Sequence, residues 1–310
     1  VESIVSDRSG VESANDQGVR HDRPGSETID VLVVGAGVAG ASAALVAARR
    51  FGAVGRVLLV DRCAWPREKV CGCCLGARGV ASLSRLGIDL RDGVPHATPL
   101  TRVRVTARGG ASFDLPHAGG AVVSRAMLDD AIVGAAMSAG AAFRPNCPAS
   151  VIDRSGGLWR VRLGDAMVSA RAVIVADGLG GRSLANLPGF APTIARSAFM
   201  GVGAHIPAAC AAPDVAPAGT VLLVHGGGGY VGLVRLPDGA IDVAAALSVA
   251  HARAIGGPVA AMRRILSDGR VPLTLSPDLR VAGTPLLTRR RSAVGGPGLI
   301  IAGDAAGYVE

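Results

Sequence analysis

The sequence predicts an α/β fold in which a three-layer dinucleotide-binding domain is interleaved with a mostly antiparallel β-sheet. Three observations carry that expectation. The run Ile29-Asp-Val-Leu-Val-Val-Gly-Ala-Gly-Val-Ala-Gly40 reads as a buried strand, a glycine turn and the start of an Ala-rich helix, and Leu58-Leu-Val-Asp61 supplies a second strand ending in a carboxylate. Two later apolar strands end in turns of one kind: residues 172–176 run into Asp177-Gly178, and residues 298–302 run into Gly303-Asp304. Between residues 201 and 247 the pattern changes to short segments separated by glycine-containing turns, as in an antiparallel sheet.

In a Rossmann-like unit each glycine of the first motif has its own reason. Gly35 allows the tight turn, Gly37 lets the backbone approach a pyrophosphate, and Gly40 lets the helix pack on the strand, so that the helix N-terminus faces the phosphates. Asp61 lies 21 residues after Gly40, where a carboxylate accepts hydrogen bonds from an adenosine ribose. Residues 56–61 form the second strand, and residues 77–87 carry Val80, Leu83 and Leu86 at helical spacing, with Gly87 as C-cap. Residues 102–106 and 112–115 alternate around Gly109-Gly110 and predict an inserted β-hairpin. A helix follows over 124–140, with Ser124 as N-cap and Leu128, Ile132 and Met137 among its apolar residues. Residues 149–153, 158–163 and 172–176 form a meander that leads back to the central sheet.

The second sheet is expected from strands at 201–206, 220–224, 230–236 and 240–247, with Pro237-Asp238-Gly239 as a hairpin turn. The run Gly226 to Gly229 precedes a strand rather than a helix and reads as a hairpin loop. A short helix starts at Ala254 or Gly257 and ends at Leu266. Residues 29–95, 120–190 and 280–310 are assigned to the dinucleotide-binding domain, and 96–119 with 191–279 to a substrate domain. The chain ends just after the strand at 298–302, without a helix to cover the sheet, which reads as the end of a fragment.

At 310 residues, 49% hydrophobic and 18% charged, the chain can bury a sizeable core and reads as soluble and globular. Its formal net charge of +8 does not point to nucleic acid, because the arginines are scattered and aromatics make up only 3%. The apolar run from Ile29 to Ala48 is broken by Asp30 and three glycines, so it predicts a strand and a buried helix rather than a transmembrane span. Residues 1–28 are polar and charged and predict a disordered tail, neither secretory signal nor anchor, so the expected location is cytoplasmic. Six cysteines, three of them at 71, 73 and 74, form no spaced disulfide framework, which agrees with a reducing compartment.

Three strand-end motifs in this order, near 35, 177 and 303, place glycines and carboxylates where open α/β sheets bind ligands. Cys71-Gly-Cys-Cys74 contains a Cys-x-x-Cys, but no second cysteine pair or His-x-His lies close by, so no metal is expected. The histidines at 21, 96, 117, 205, 225 and 251 show no metal spacing either. Asp242, in a predicted strand, reads as solvent-facing.

With Pro66-Arg-Glu-Lys-Val-Cys-Gly72, Ser124-Arg125 and Leu128, Ala176-Asp-Gly178 and Ala302-Gly-Asp-Ala305 added to the first motif and Asp61, the sequence resembles a known family. It is similar, over roughly residues 29–310, to the FAD-dependent oxidoreductases of the para-hydroxybenzoate hydroxylase fold type, and within them to geranylgeranyl reductase-like flavin dehydrogenases. The resemblance implies that Gly35, Gly37, Gly40, Asp61 and the adjacent Arg62 hold the ADP half of FAD. It also implies that Asp177 and Gly178 sit near the pyrophosphate, that Gly303 and Asp304 contact the ribityl chain and pyrophosphate, and that Arg125 lies near the flavin. Cys71 matches a cysteine on a loop beside the isoalloxazine ring and is the candidate catalytic residue, against the alternative that small residues are needed there for close flavin approach.

Only one G-x-G-x-x-G follows a strand, so NAD(P)H is expected as a transient reductant without a domain of its own. The expected activity is NAD(P)H-linked reduction or dehydrogenation of a small hydrophobic or aromatic substrate, with peripheral membrane contact left open. The alternatives are an FAD-dependent monooxygenase, an electron-relaying flavoprotein without its own substrate, and, less favoured, a halogenase. Trp65 and Trp159 are the only tryptophans, so the Trp-x-Trp-x-Ile-Pro signature of the halogenase branch is absent.

Overall fold

The computed structural model describes residues 28–90, 97–210, 212 and 214–310. Of the tail expected over 1–28, only Thr28 lies within the described residues. The chain opens with β1 (Ile29–Val34), α1 (Val38–Phe51), β2 (Val57–Val60), β3 (Cys74–Leu75) and α2 (Ala77–Arg85). It continues through β4 (Thr98–Thr106), β5 (Ser112–Val122), α3 (Arg125–Ser138), β6 (Ala142–Arg144), β7 (Ala149–Ser155), β8 (Leu158–Leu163) and β9 (Ala166–Val175). Next come β10 (Pro192–Ile194), β11 (Met200–Ile206), β12 (Thr220–Gly226), β13 (Gly229–Arg235), β14 (Ile241–Leu247), α4 (Val249–Ala254) and α5 (Pro258–Asp268). The last strands are β15 (Ala282–Leu286), β16 (Arg289–Arg291), β17 (Gly295–Gly296), β18 (Leu299–Ile301) and β19 (Gly307–Tyr308).

The central sheet runs β6-β2-β1-β9-β18, all parallel, with β17 antiparallel at one edge. In chain order this is the doubly wound 3-2-1-4-5 arrangement, whose order reverses between β1 and β9. The strands are apolar on both faces because both are covered. Val31, Val33, Val57 and Leu59 pack with Leu45 of α1 and with Leu128, Ile132 and Val133 of α3. Leu32, Val34, Leu58 and Val60 pack on the other side with Val151, Trp159 and Val161 of the β7–β8–β9 meander. Helix, parallel sheet and meander give the three-layer α/β architecture that the sequence predicts.

The second sheet runs β15-β11-β14-β13-β12-β4-β5-β3 and is antiparallel except where β12 meets β4. Its even–odd alternation separates two faces. Val202, Ala204, Leu222, Val231, Leu233, Ile241, Val243 and Ala245 point to α4 and α5 and pack on Met262, Ile265 and Leu266. The opposite face carries Gly201, Gly203, His205, Gly232, Asp242 and Ala244, and the loop before β3 lies on it. A Cβ on Gly203 would sit 3.0 Å from Val70 of that loop.

Several expectations differ in detail. The inserted hairpin is longer, with β5 reaching Val122, and β4 joins the second sheet. Of the two starts expected for the helix ending near Leu266, the structure has the later one, with Gly257 as N-cap of α5, and α4 before it, set apart by Gly256 and Gly257 at positive φ, was not expected. Met137 is exposed, and Val133 and Ala136 fill the buried face of α3 instead. Residues 282–286, grouped by sequence with the dinucleotide-binding segments, pair with β11 in the second sheet. No helix among the described residues is long and apolar enough to cross a membrane.

Two glycine substitutions separate packing from propensity. A Cβ at Gly40 would lie 1.8 Å from the Gly35 carbonyl oxygen, so Gly40→Ala is expected to destabilise by about 1–3 kcal/mol or more. Gly134, exposed in the middle of α3, has nothing within 4 Å of such a Cβ, so Gly134→Ala is expected to stabilise by about 0.5–1 kcal/mol. Urea denaturation of the two variants checks both signs.

Candidate functional site

The switch point between β1 and β9 brings the three strand-end motifs together. Gly35, at φ +101°, approaches the neighbouring turn so closely that a Cβ would lie 2.4 Å from the Ala176 carbonyl oxygen. Gly303, at φ +62°, begins the short 3-10 turn after β18, and a Cβ there would lie 2.9 Å from Ala39 in the first turn of α1. The ends of β1, β9 and β18 therefore surround the N-terminus of α1. Gly37 is the N-cap of α1, no side chain caps it, and no acidic residue lies in the first turn. Unsatisfied N–H groups and the positive end of the helix dipole are left facing the site.

Two arginines flank that helix end. A Cβ on Gly37 would be 3.5 Å from the guanidinium groups of both Arg125 and Arg67. Arg125 donates to Asp129 in bidentate fashion, Nε to Oδ1 at 3.0 Å and Nη2 to Oδ2 at 2.9 Å. Arg67 pairs with Asp129 at 3.7 Å and with Asp61 at 3.4 Å. Asp129 is fully buried. Burial works against the charge on Arg125, but the Asp129 carboxylate and then the Cys71 thiol outweigh it and raise its pKa above the ordinary guanidinium value.

Asp61 is buried and braces the glycine turn. Its Oδ2 accepts from the Ala36 N–H at 2.8 Å and its Oδ1 from the Cys63 N–H at 3.0 Å. Arg62 donates from Nη1 to the Gly180 carbonyl at 3.1 Å, tying the end of β2 to the turn after β9. Asp177 accepts through Oδ2 from the N–H and hydroxyl of Ser183, at 3.1 and 2.6 Å, while its Oδ1 is buried without a partner. A Cβ on Gly178 would be 3.6 Å from Lys69 Nζ, which also pairs with Asp304 at 3.3 Å. All the cofactor-binding candidates thus lie around one site.

Cys71, half-buried, lies close enough to the Arg125 guanidinium to favour its charge, so it stands next to that site. Its neighbour Cys73 is buried in the second sheet's apolar cluster with Leu100, Val122 and Val234. Burial, then the Asp242 charge, push the Cys73 thiol well above the ordinary thiol range. Asp242 is 3% exposed, contrary to the solvent-facing expectation. It stands opposite His205 in the β11–β14 register, accepts from His205 Nε2 at 2.9 Å, and burial raises its pKa above the usual carboxylate range.

Sequence reasoning quoted Arg67 within the Pro66–Gly72 motif without a role of its own, and passed over Asp129 and over Arg289 and Arg291 of β16. Arg289 donates to the Leu179 carbonyl at 2.7 Å and Arg291 to the Ala305 carbonyl at 2.6 Å, so this strand holds the second and third turns in place. The only signal for Asp129 was its place four residues after Arg125, the spacing of a helical ion pair.

Comparisons with known proteins agree with this geometry. No protein-family model matches the chain. Menaquinone reductase from Mycobacterium tuberculosis is 37% identical over 163 residues, 49% of this chain and 38% of that protein. The menaquinone reductase of Mycolicibacterium smegmatis is 38% identical over 164 residues, 48% and 37% of the two chains. The match therefore spans well under half the length of these curated relatives. Among solved structures, the myxobacterial chondrochloren halogenase, an FAD-dependent enzyme, superposes with a TM-score of 0.76 at 21% identity, covering 92% of this chain and 70% of the other. A flavoprotein/dehydrogenase from Cytophaga hutchinsonii gives 0.75 at 18% identity, covering 92% and 73%. The halogenase PltM, solved with phloroglucinol and FAD, gives 0.75 at 17%, covering 91% and 65%. The fold is that of the FAD-dependent flavoproteins.

Asp129 is the charge on which both arginines rest. Asp129→Ala leaves a half-buried and a partly buried guanidinium without their shared partner and is expected to cost about 3–5 kcal/mol. The double variant Arg125→Met/Asp129→Leu is expected to cost less than Asp129→Ala alone, and a denaturation series over the three proteins measures the difference.

Proposed function

We propose that this chain binds FAD at the β1–β9 switch point and acts as an NAD(P)H-linked oxidoreductase that reduces or dehydrogenates a hydrophobic, quinone-type lipid substrate. The observation that carries the reading is the convergence of Gly35 to Gly40, Asp177-Gly178 and Gly303-Asp304 on one sheet edge around an uncapped helix N-terminus. The residues fit the group. The space at Gly37 is bordered by two guanidinium groups at 3.5 Å, a setting for a pyrophosphate, and the partnerless buried Oδ1 of Asp177 can accept from a ligand hydroxyl.

Bound there, FAD would supply the two-electron chemistry of the reaction. The protein's part is to bind, orient and exclude water. Arg125 and Arg67, fixed by Asp129, would hold the pyrophosphate with the α1 N-terminus, and Asp61 braces the glycine turn through the Ala36 N–H. Lys69 and Asp304 offer a donor and an acceptor where the turns after β9 and β18 meet. Cys71 sits against Arg125, on the loop that separates this site from the face of the second sheet. That face carries Gly201, Gly203, Gly232 and Ala244, and their small size lets the loop, with Val70 at Gly203, pack closely against it. The menaquinone reductase likeness favours a lipid quinone drawn from a membrane surface, with the chain itself in the cytoplasm.

The second reading, an FAD enzyme that uses oxygen as a monooxygenase does, draws on the fold shared with the halogenases. One experiment separates the two. The chain reconstituted with FAD is mixed anaerobically with NADH or NADPH and then with menaquinone. Bleaching of the flavin bands and a product heavier by two hydrogens are the expected outcome, whereas a flavin that neither nucleotide bleaches sinks the reading, and product formed only with oxygen selects the other. Cys71→Ser is expected to keep the flavin spectrum and lose about 10²-fold in turnover, the lower end for a group that moves a proton. Unchanged turnover removes Cys71 from the chemistry.

A further inference from the structure

Outside the flavin site, one cluster of side chains has no role in what has been described. We propose that Cys73, His205 and Asp242 form a divalent metal site of the kind that takes Zn²⁺, between the loop before β3 and the inner face of the second sheet. The three residues come from remote points of the chain, and one ligating atom from each lies within 4.8 Å of the others. Each is positioned by backbone pairing. The Cys73 carbonyl accepts from the Val123 N–H at 3.0 Å, and His205 and Asp242 stand directly opposite each other on β11 and β14.

The observation that points to a ligand is Asp242. Asp242 is 3% exposed, and although its carboxylate meets His205 at Oδ1 and is hydrogen-bonded by the Cys73 thiol, Oδ2 is buried with no hydrogen-bond partner. A buried carboxylate oxygen without a partner is costly, and a cation bound between Oδ2, the Cys73 sulfur and His205 removes that cost. Glu68 adds a further negative charge nearby. Thiolate, imidazole and carboxylate together suit Zn²⁺ better than Mg²⁺ or Ca²⁺, which take oxygen ligands. Three protein ligands leave the fourth tetrahedral position for water. The His205 side chain is 39% exposed and gives the ion a way in. As the metal–sulfur bond forms, the Cys73 thiol proton passes to solvent.

The test is metal binding by the full chain after chelator treatment and dialysis, with Zn²⁺ stoichiometry measured by elemental analysis. Co²⁺ is read by its ligand-field bands, at wavelengths beyond flavin absorption. About one ion per chain with tetrahedral Co²⁺ bands is expected. Loss of an outer partner of a metal site already costs about 10–100-fold in affinity, so His205→Ala, Asp242→Asn and Cys73→Ser are each expected to weaken binding at least tenfold. Cys74→Ser and Cys210→Ser are expected to leave it intact. His205 is half-exposed, so if the two buried variants fail to fold, His205→Ala with an unchanged circular dichroism spectrum decides. No bound ion, octahedral Co²⁺ bands, or binding that His205→Ala leaves untouched overturns the proposal.

Discussion

The carbonyl oxygen of Gly35 stands where the first turn of α1 must pass, and the rest of the molecule is arranged around that contact. Helix and strand ends meet backbone to backbone, with Gly40 over Gly35 and Gly35 against Ala176. Because no side chain keeps them apart, the end of β1, the end of β9 and the start of α1 lie in direct backbone contact. The strand order of the parallel sheet reverses at this same point, and the pair β1–β9 is the seam between its two halves. A concave edge at the seam follows from the topology, and the turn after β18 closes it from the third side.

Charge is distributed around that edge in an economical way. Two guanidinium groups share one fully buried carboxylate, and a second carboxylate, Asp61, serves both Arg67 and the backbone of the glycine turn. The four groups balance formally, which makes their burial tolerable in a low-dielectric setting. Both guanidinium groups lie beside the helix end, 3.5 Å from a Cβ built on Gly37, with the Asp129 carboxylate close behind at 3.9 Å. An anion entering there meets donors whose rotamer freedom is already spent in the ion pairs, so less ordering entropy opposes binding.

How much of this could be read from the sequence depended on whether the signal was local. The glycine motif, the buried strands, the Ser124 cap and the Gly226–Gly229 hairpin are short-range patterns, and the structure has each of them. β6 is three residues long and β16 is a run of three arginines, too short or too polar to show a period, yet β6 extends the parallel sheet and β16 anchors two of its turns. Asp242 was misread because alternation in β14 gives only the side of the sheet, and both sides of this sheet are covered. The meeting of residues 73, 205 and 242 depends on strand register and on the loop folding back over the sheet, which no spacing rule encodes. Site residues carried by motifs were legible, and those carried by tertiary register were not.

Lys69 is the only lysine in the chain, against an abundance of arginine. Its ammonium group lies between Asp304 and the turn at Gly178, within the edge where the three strand ends meet. Amine chemistry on this protein's side chains is therefore confined to a single address. A lysine-directed protease has one bond to cut, and that cut parts β1, α1 and β2 from every other element. A fluorophore coupled to side-chain amines marks one position, at the mouth of the proposed flavin site, without any engineering of the sequence.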